Sequence, residues 1–124
     1  MNLNQLKHTV MHQTGGDEGD LTDYQPYLTD YLNDGYDRLV YASRGQHVAR
    51  DSADYPPLQN DRSAPELPDW AHGAIADWAS WLILRNGGAD SQSRGLTFRR
   101  SFEQTEKRLR SEKCTRSRFR NIPR

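Results

Sequence analysis

Apolar residues recur at spacings of three and four along most of this chain, and they predict helices throughout. Leu3, Leu6 and Val10 set one stripe on a helix over residues 3–13. Asn2 or Asn4 can cap its start, and Gly15-Gly16 ends it. An acidic loop at 17–20 follows. A second helix is predicted over 26–43, with Thr22 or Asp23 as cap and Pro26 in the opening turn, where a missing N–H is tolerated. Leu28, Leu32, Gly35 and Leu39 share its stripe, flanked by Tyr31, Tyr36 and Val40. A glycine inside a helix costs about 1 kcal/mol, so Gly35 predicts close approach of another helix. Asp30, Asp34 and Asp37 fall on the far side as a solvated acidic surface.

Residues 45–67 break the pattern, and Pro56, Pro57, Pro65 and Pro68 preclude a long helix there. Irregular stretches of about 20 residues are uncommon in small domains and are often functional. Two readings stay open: a contact with a neighbouring subunit or partner, or a surface excursion pinned by Tyr55 and Leu58. A third helix starts at Pro68 and closes at Asn86-Gly87-Gly88. Ala71, Ala74, Ile75, Trp78, Ala79 and Leu82 form its apolar face, with Trp81 and Leu84 away from the centre. Apolar over more than half its girth, it is either the central helix or has a second face buried by another subunit. A fourth helix runs from Asp90 or Ser91 to about Lys113 on Phe98, Phe102, Thr105 and Leu109. Beyond Cys114, only Phe119 and Ile122 are apolar anchors, and that segment alone is expected to be unstructured.

The expected fold is therefore all-α: a small four-helix bundle over residues 1–113, with a long Pro-rich loop between its second and third helices. An extended basic C-terminal tail, 114–124, is ordered by a partner. Size agrees, since 124 residues make one domain. With 34% apolar residues and a mean hydropathy of −1.01, the core must be thin, so partners are expected to add stability. Three Trp, six Tyr and three Phe supply the bulk to build it.

A formal net charge of zero conceals a division. Residues 1–93 carry six Lys+Arg against 14 Asp+Glu, a balance of −8; residues 94–124 carry 11 against three, a balance of +8. Such asymmetry calls for an electrostatic partner, either nucleic acid or an acidic surface. The acidic body of a second copy is one such surface.

Little in the chain points to catalysis. Cys114 is the only cysteine, which excludes an internal disulfide and a multi-cysteine zinc site and fits a reducing compartment. Its neighbours Lys113 and Arg116 can lower its thiol pKa, but no paired base accompanies it. His8 and His12 lie one turn apart without the glutamate of a zinc protease or a third ligand. Asp17-Glu18-Gly19-Asp20 lacks the spacing of a calcium loop. No Ser/His/Asp grouping, phosphate-binding glycine loop or cofactor fingerprint stands out. The start shows no basic flank leading into an apolar run, and no stretch approaches the roughly 18 apolar residues of a membrane span. The expectation is a non-enzyme without cofactor, metal or membrane partner.

The run Pro65-Glu66-Leu67-Pro68-Asp69-Trp70-Ala71-His72-Gly73-Ala74-Ile75 leads into Ala76-Asp77-Trp78-Ala79 and then Arg85-Asn86-Gly87. It resembles the signature region of head–tail connector (neck adaptor) proteins of tailed bacteriophages: a proline-bracketed start, a helix of small and apolar residues, an Asn-Gly stop and an amphipathic final helix. Leu6-Lys7, Val10 and Thr14-Gly15 are also similar to that family, as is Leu32-Asn33-Asp34-Gly35-Tyr36. The likeness covers about residues 3–112 and departs at the basic end.

The resemblance implies a structural virion protein at the head–tail junction, present in host cytoplasm during assembly. Its copies would form a ring, commonly of twelve, below the portal, extend the channel for genome DNA in packaging and ejection, and carry downstream neck, stopper or tail proteins. An all-helical pattern favours adaptor over stopper. Portal docking would fall to Lys107, Arg108, Arg110, Lys113, Arg116, Arg118, Phe119, Arg120, Ile122 and Arg124. Tyr55, Leu58, Trp70, Trp81 and Leu84 would serve contacts between subunits. The alternative is an autonomous nucleic-acid-binding helical module using Arg94, Arg99, Arg100 and the basic residues after them on phosphates. The acidic body, which repels a duplex, counts against it.

Overall fold

The computed structural model describes residues 1–15, 18–45 and 55–120, excluding the side chains of 18–26 and 113–120. Four helices and no strand are found among the described residues: α1 (Leu3–Thr14), α2 (Glu18–Arg44), α3 (Asp69–Leu84) and α4 (Ala89–Arg120). The all-α bundle expected from the periodicity is present. The first part of the Pro-rich stretch, 46–54, and the last four positions of the tail lie outside the described residues.

Local chemistry accounts for the shorter elements. Asn2 caps α1, accepting from the Gln5 backbone N–H while the Gln5 side chain returns a bond to the Asn2 N–H. Gly15, at φ 73°, closes α1 in the left-handed conformation that glycine adopts without a Cβ penalty. Pro68 precedes the first residue of α3, and a short turn through Arg85 and Gly87 connects it to α4.

Two helices are longer than expected. α2 begins at Glu18, eight residues before Pro26, so the acidic loop expected at 17–20 is helical from position 18. In sequence, Leu21 and Tyr24 continue the Leu28–Leu32 stripe backwards at helical spacing, and the helix runs through Pro26, a residue costing about 3 kcal/mol in a helix interior. α4 runs on to Arg120, through a segment expected to lack structure alone, and its 32 residues span about 48 Å.

α3 is the central helix. It packs against each of the other three and buries Ala71, His72, Ala74, Ile75, Ala76, Trp78, Ala79, Ser80, Leu82 and Leu84. α4 lies antiparallel to it, since Trp81 meets Gly95, Trp78 meets Phe102 and Trp70 meets Arg108. Close approach is possible because two glycines face indoles. A Cβ on Gly35 would sit 3.1 Å from Trp78 Cβ, and one on Gly95 would sit 2.9 Å from Trp81 Cε3. The expectation of a helix approaching at Gly35 holds.

Polar groups inside the bundle are partnered; among the described residues, no buried side-chain nitrogen or oxygen lacks a hydrogen bond. Asn33 is 8% exposed and pairs with the backbone of Leu58 twice, accepting from its N–H at 2.8 Å and donating to its C=O at 3.0 Å. Ser63 and Asp61 carbonyls accept from the free N–H groups of Leu3 and Asn4, and Tyr36 Oη accepts from the Glu66 N–H. The described part of the Pro-rich stretch, 55–68, is thus tied to α1 and α2. Burial raises the Tyr36 hydroxyl above its ordinary pKa, the Glu66 bond opposing this in part.

Candidate functional site

With the core spent on α3, the surfaces open to partners are the outer sides of α2 and α4 and the edge where α3 meets α4. Along that edge, arginines from α4 lie over indoles from α3. The Arg108 guanidinium carbon is 3.7 Å from the Trp70 ring centroid, and that of Arg99 is 5.3 Å from Trp81. Three α4 cations also have a glutamate one turn away: Arg99 with Glu103 at 2.9 Å, Arg108 with Glu112 at 3.7 Å and Arg110 with Glu106 at 3.7 Å. Arg100 and Lys107 are exposed and have no ion pair among the described residues.

Of the residues assigned to portal docking, Lys107, Arg108 and Arg110 are exposed on α4. Lys113, Arg116, Arg118, Phe119 and Arg120 belong to the same helix, their side chains outside the description. Ile122 and Arg124 lie outside the described residues. The helical register is informative all the same. Gly95, Phe102 and Leu109 are the buried positions of α4 among the described residues. Continuing from Leu109 at steps of four, three and four, the same line reaches Lys113, Arg116 and Arg120. In sequence, the line that holds α4 to the bundle therefore continues as basic residues over about the last two turns of the helix.

Of the residues assigned to subunit contacts, Trp70 is 36% exposed, while Tyr55 and Trp81 are half-buried against the core. Tyr55 lies 5.5 Å below the Arg44 guanidinium. Leu58, 1% exposed, is part of the core, and Leu84 is 6% exposed, beside Gly95. The acidic surface expected on α2 is also modified. Asp34 is half-buried and accepts from Trp78 Nε1 at 2.7 Å, with Arg38 stacked over the same indole.

A polar cluster that the pattern of apolar positions did not announce joins α1, α3 and α4. Gln13 Nε2 donates to Asp77 at 2.8 Å, Ser80 Oγ donates to Gln13 Oε1 at 2.6 Å, and Arg94 donates to the Gln13 carbonyl at 3.1 Å. Burial raises the Asp77 carboxyl above the ordinary carboxylate range, and bonds from Gln13 and Ser101 oppose the shift. His72, 4% exposed, donates from Nε2 to the Leu67 carbonyl, which leaves Nδ1 to accept from the Met1 amino group at 2.7 Å. The Gln13 contacts join positions 64–81 residues apart and the Met1–His72 contact 71, so no local sequence signal exists for them.

No family model, curated protein or solved structure matches this chain. Its surfaces have to speak for themselves. Among the described residues, no three His, Cys, Asp or Glu side chains gather as a metal site, and no helix is long and apolar enough to cross a membrane. His8 and His12 are exposed on α1.

Proposed function

We propose that this protein is a structural subunit of a phage head–tail connector, assembling as a ring below the portal. The copies extend the DNA channel and give neck and tail proteins a platform. Beyond the sequence resemblance, the observation that favours this reading is the change of character along α4. Its line of Gly95, Phe102 and Leu109 anchors the helix to α3, and the same line continues as Lys113, Arg116 and Arg120. A helix whose core-facing line becomes cationic has no use for its own core there. It suits an arm that leaves the bundle for an acidic groove on another protein.

Direct nucleic-acid binding draws less support. Arg99, Arg108 and Arg110 are engaged with glutamates, and two of these also cover indoles, so few described cations are left for phosphates. That suits a channel protein past which DNA must slide.

Sizing of the purified chain, alone and with a phage portal protein, tests the reading. A complex with portal that dissolves when residues 114–124 are deleted, the bundle remaining helical by circular dichroism, is the expected result. A monomer that ignores portal and binds duplex DNA tightly at about 150 mM salt rejects it.

A further inference from the structure

Two helix faces of this chain, one on α2 and one on α4, share length and spacing and carry opposite charge. On α2, Tyr27, Tyr31, Asp34, Arg38 and Tyr41 follow one another at steps of four, three, four and three, with Asp30 and Asp37 along one side. This is the spacing of a helix face that meets another helix along its length. Tyr27 is 58% exposed and Tyr41 41%, unusual for rings with so much apolar area. Tyr27 stacks on Tyr31 at 6.5 Å, and Asp30 beside them is exposed and has no ion pair among the described residues.

On α4, Leu96, Arg100, Glu103, Lys107 and Arg110 repeat the same four-three-four-three steps on the side opposite Phe102 and Leu109. Leu96 is 40% exposed, and Arg100 and Lys107 are the exposed cations left without a partner. Glu103 and Arg110 on this line are engaged with Arg99 and Glu106. Each face spans 15 residues of helix, or about 21 Å. Tyr31 packs on the core, Asp34 accepts from Trp78 and Arg38 covers that indole, so the α2 line turns Tyr27, Asp30 and Tyr41 outwards, while the α4 line turns out Leu96, Arg100 and Lys107.

We propose that the tyrosine-rich acidic face of α2 docks on the basic outer face of α4 in a second copy of this chain. Asp30 would meet Arg100 or Lys107, while the exposed tyrosine rings cover Leu96 and the arginine and lysine stems. The two patches differ, so the contact is head-to-tail: each copy uses α2 towards one neighbour and α4 towards the other, and repetition closes a ring where the rotation permits. The zero net charge with −8 and +8 segregated along the chain fits a molecule complementary to itself. The contact deepens the connector reading and rests on it only for the number of copies.

Sedimentation velocity on the full chain at about 50 mM and about 500 mM salt tests it. The chain should self-associate at the lower salt and weaken at the higher. Asp30→Lys and Lys107→Glu, both at exposed positions, should each weaken association by about tenfold or more and leave circular dichroism unchanged. Mixing the two variants should restore association, because every α2–α4 junction between unlike chains again pairs opposite charges. A wild-type chain monomeric at both salts overturns the contact, as does association insensitive to either variant or a mixture that fails to recover. If the contact falls but copies still assemble on portal, the connector reading stands. If copies associate as described yet ignore portal, the contact stands and the neck location falls.

Discussion

α3 and α4 are neighbours and pack on each other, yet they spend their residues in opposite ways. α3 buries ten of its 16 residues, touches all three other helices and carries only two ionisable carboxylates, Asp69 and Asp77, with one histidine. α4 has twice the length and buries Gly95, Phe102 and Leu109 among its described positions, holding on by about one residue per two turns. The first helix is where the folding free energy of a thin core is gathered. The second gives up most of its surface to charge. A helix so sparsely anchored stays in place only if each anchor is good, so its anchors should be the most sensitive positions on it and its charges the least.

The largest expected effect is at Phe102. It is fully buried and packs against Trp78 with ring centroids 4.8 Å apart. Phe102→Ala should cost about 3–5 kcal/mol, read as a shift in the urea midpoint, and should free α4 before α1–α3 open. Hydrogen exchange resolves that order. Equal loss of protection in α3 and α4 would mean the two helices form one unit, and the contrast between them would be wrong.

Next come the glycines at the indoles. Gly35→Val places a branched side chain against Trp78 where even a Cβ is at 3.1 Å, and should cost about 1–3 kcal/mol by overpacking. The same change at an exposed helix position would gain stability from propensity. A thermally unchanged variant would show that Trp78 can move and that α2 is held otherwise. Asn33→Ala belongs in this range. It leaves the Leu58 N–H and C=O without their partners, at about 1–3 kcal/mol for each group that water cannot reach.

How much of this was legible beforehand follows from the same physics. α3 announced itself because its apolar residues run without interruption between a proline and an Asn-Gly-Gly stop. The cap at Asn2 and the close approach at Gly35 are local rules with local signals. α2 was cut short at Pro26 because a proline is a strong stop in isolation, whereas the helix runs through it from Glu18. That Leu58 and Leu84 are buried was not visible, because exposure is a property of the fold and not of the residue. The Gln13–Asp77–Ser80 cluster and the Asn33–Leu58 pair were out of reach, since each joins helices or loops far apart in sequence. On α4 the basic residues were visible but not their sorting. Only the fold shows that Arg108 and Arg99 lie on indoles, while Arg100 and Lys107 face outwards.

Asp77 sharpens the comparison from inside, because it is the charge that α3 holds within its packed length. Its pKa is raised by burial in the folded chain, so the folded state takes up the proton more readily than the unfolded one. Stability from this group is therefore fully present below the unfolded carboxyl pKa and is lost as pH rises through the folded value. At neutral pH the ionised carboxylate is a net cost. Asp77→Asn keeps an oxygen for Gln13 Nε2 and removes that charge, so it should raise the melting temperature at pH about 7 and lose its advantage near pH about 4. A lower melting temperature at both would mean that Gln13 and Ser101 stabilise the carboxylate more than burial harms it.

The smallest effects should be at the outer cations. Arg100→Ala and Lys107→Ala remove side chains that contact no partner among the described residues and lie on an exposed helical face. Each should change unfolding free energy by no more than about 0.5 kcal/mol, within the error of chemical denaturation. That near-silence carries meaning beside Phe102, seated on the other side of the same helix. If the two alanine variants unfold like the parent and yet associate or dock less well, the outer face of α4 serves contacts between molecules. If they lower stability by as much as the buried changes do, the outer face is part of the fold, and the division between α3 and α4 disappears.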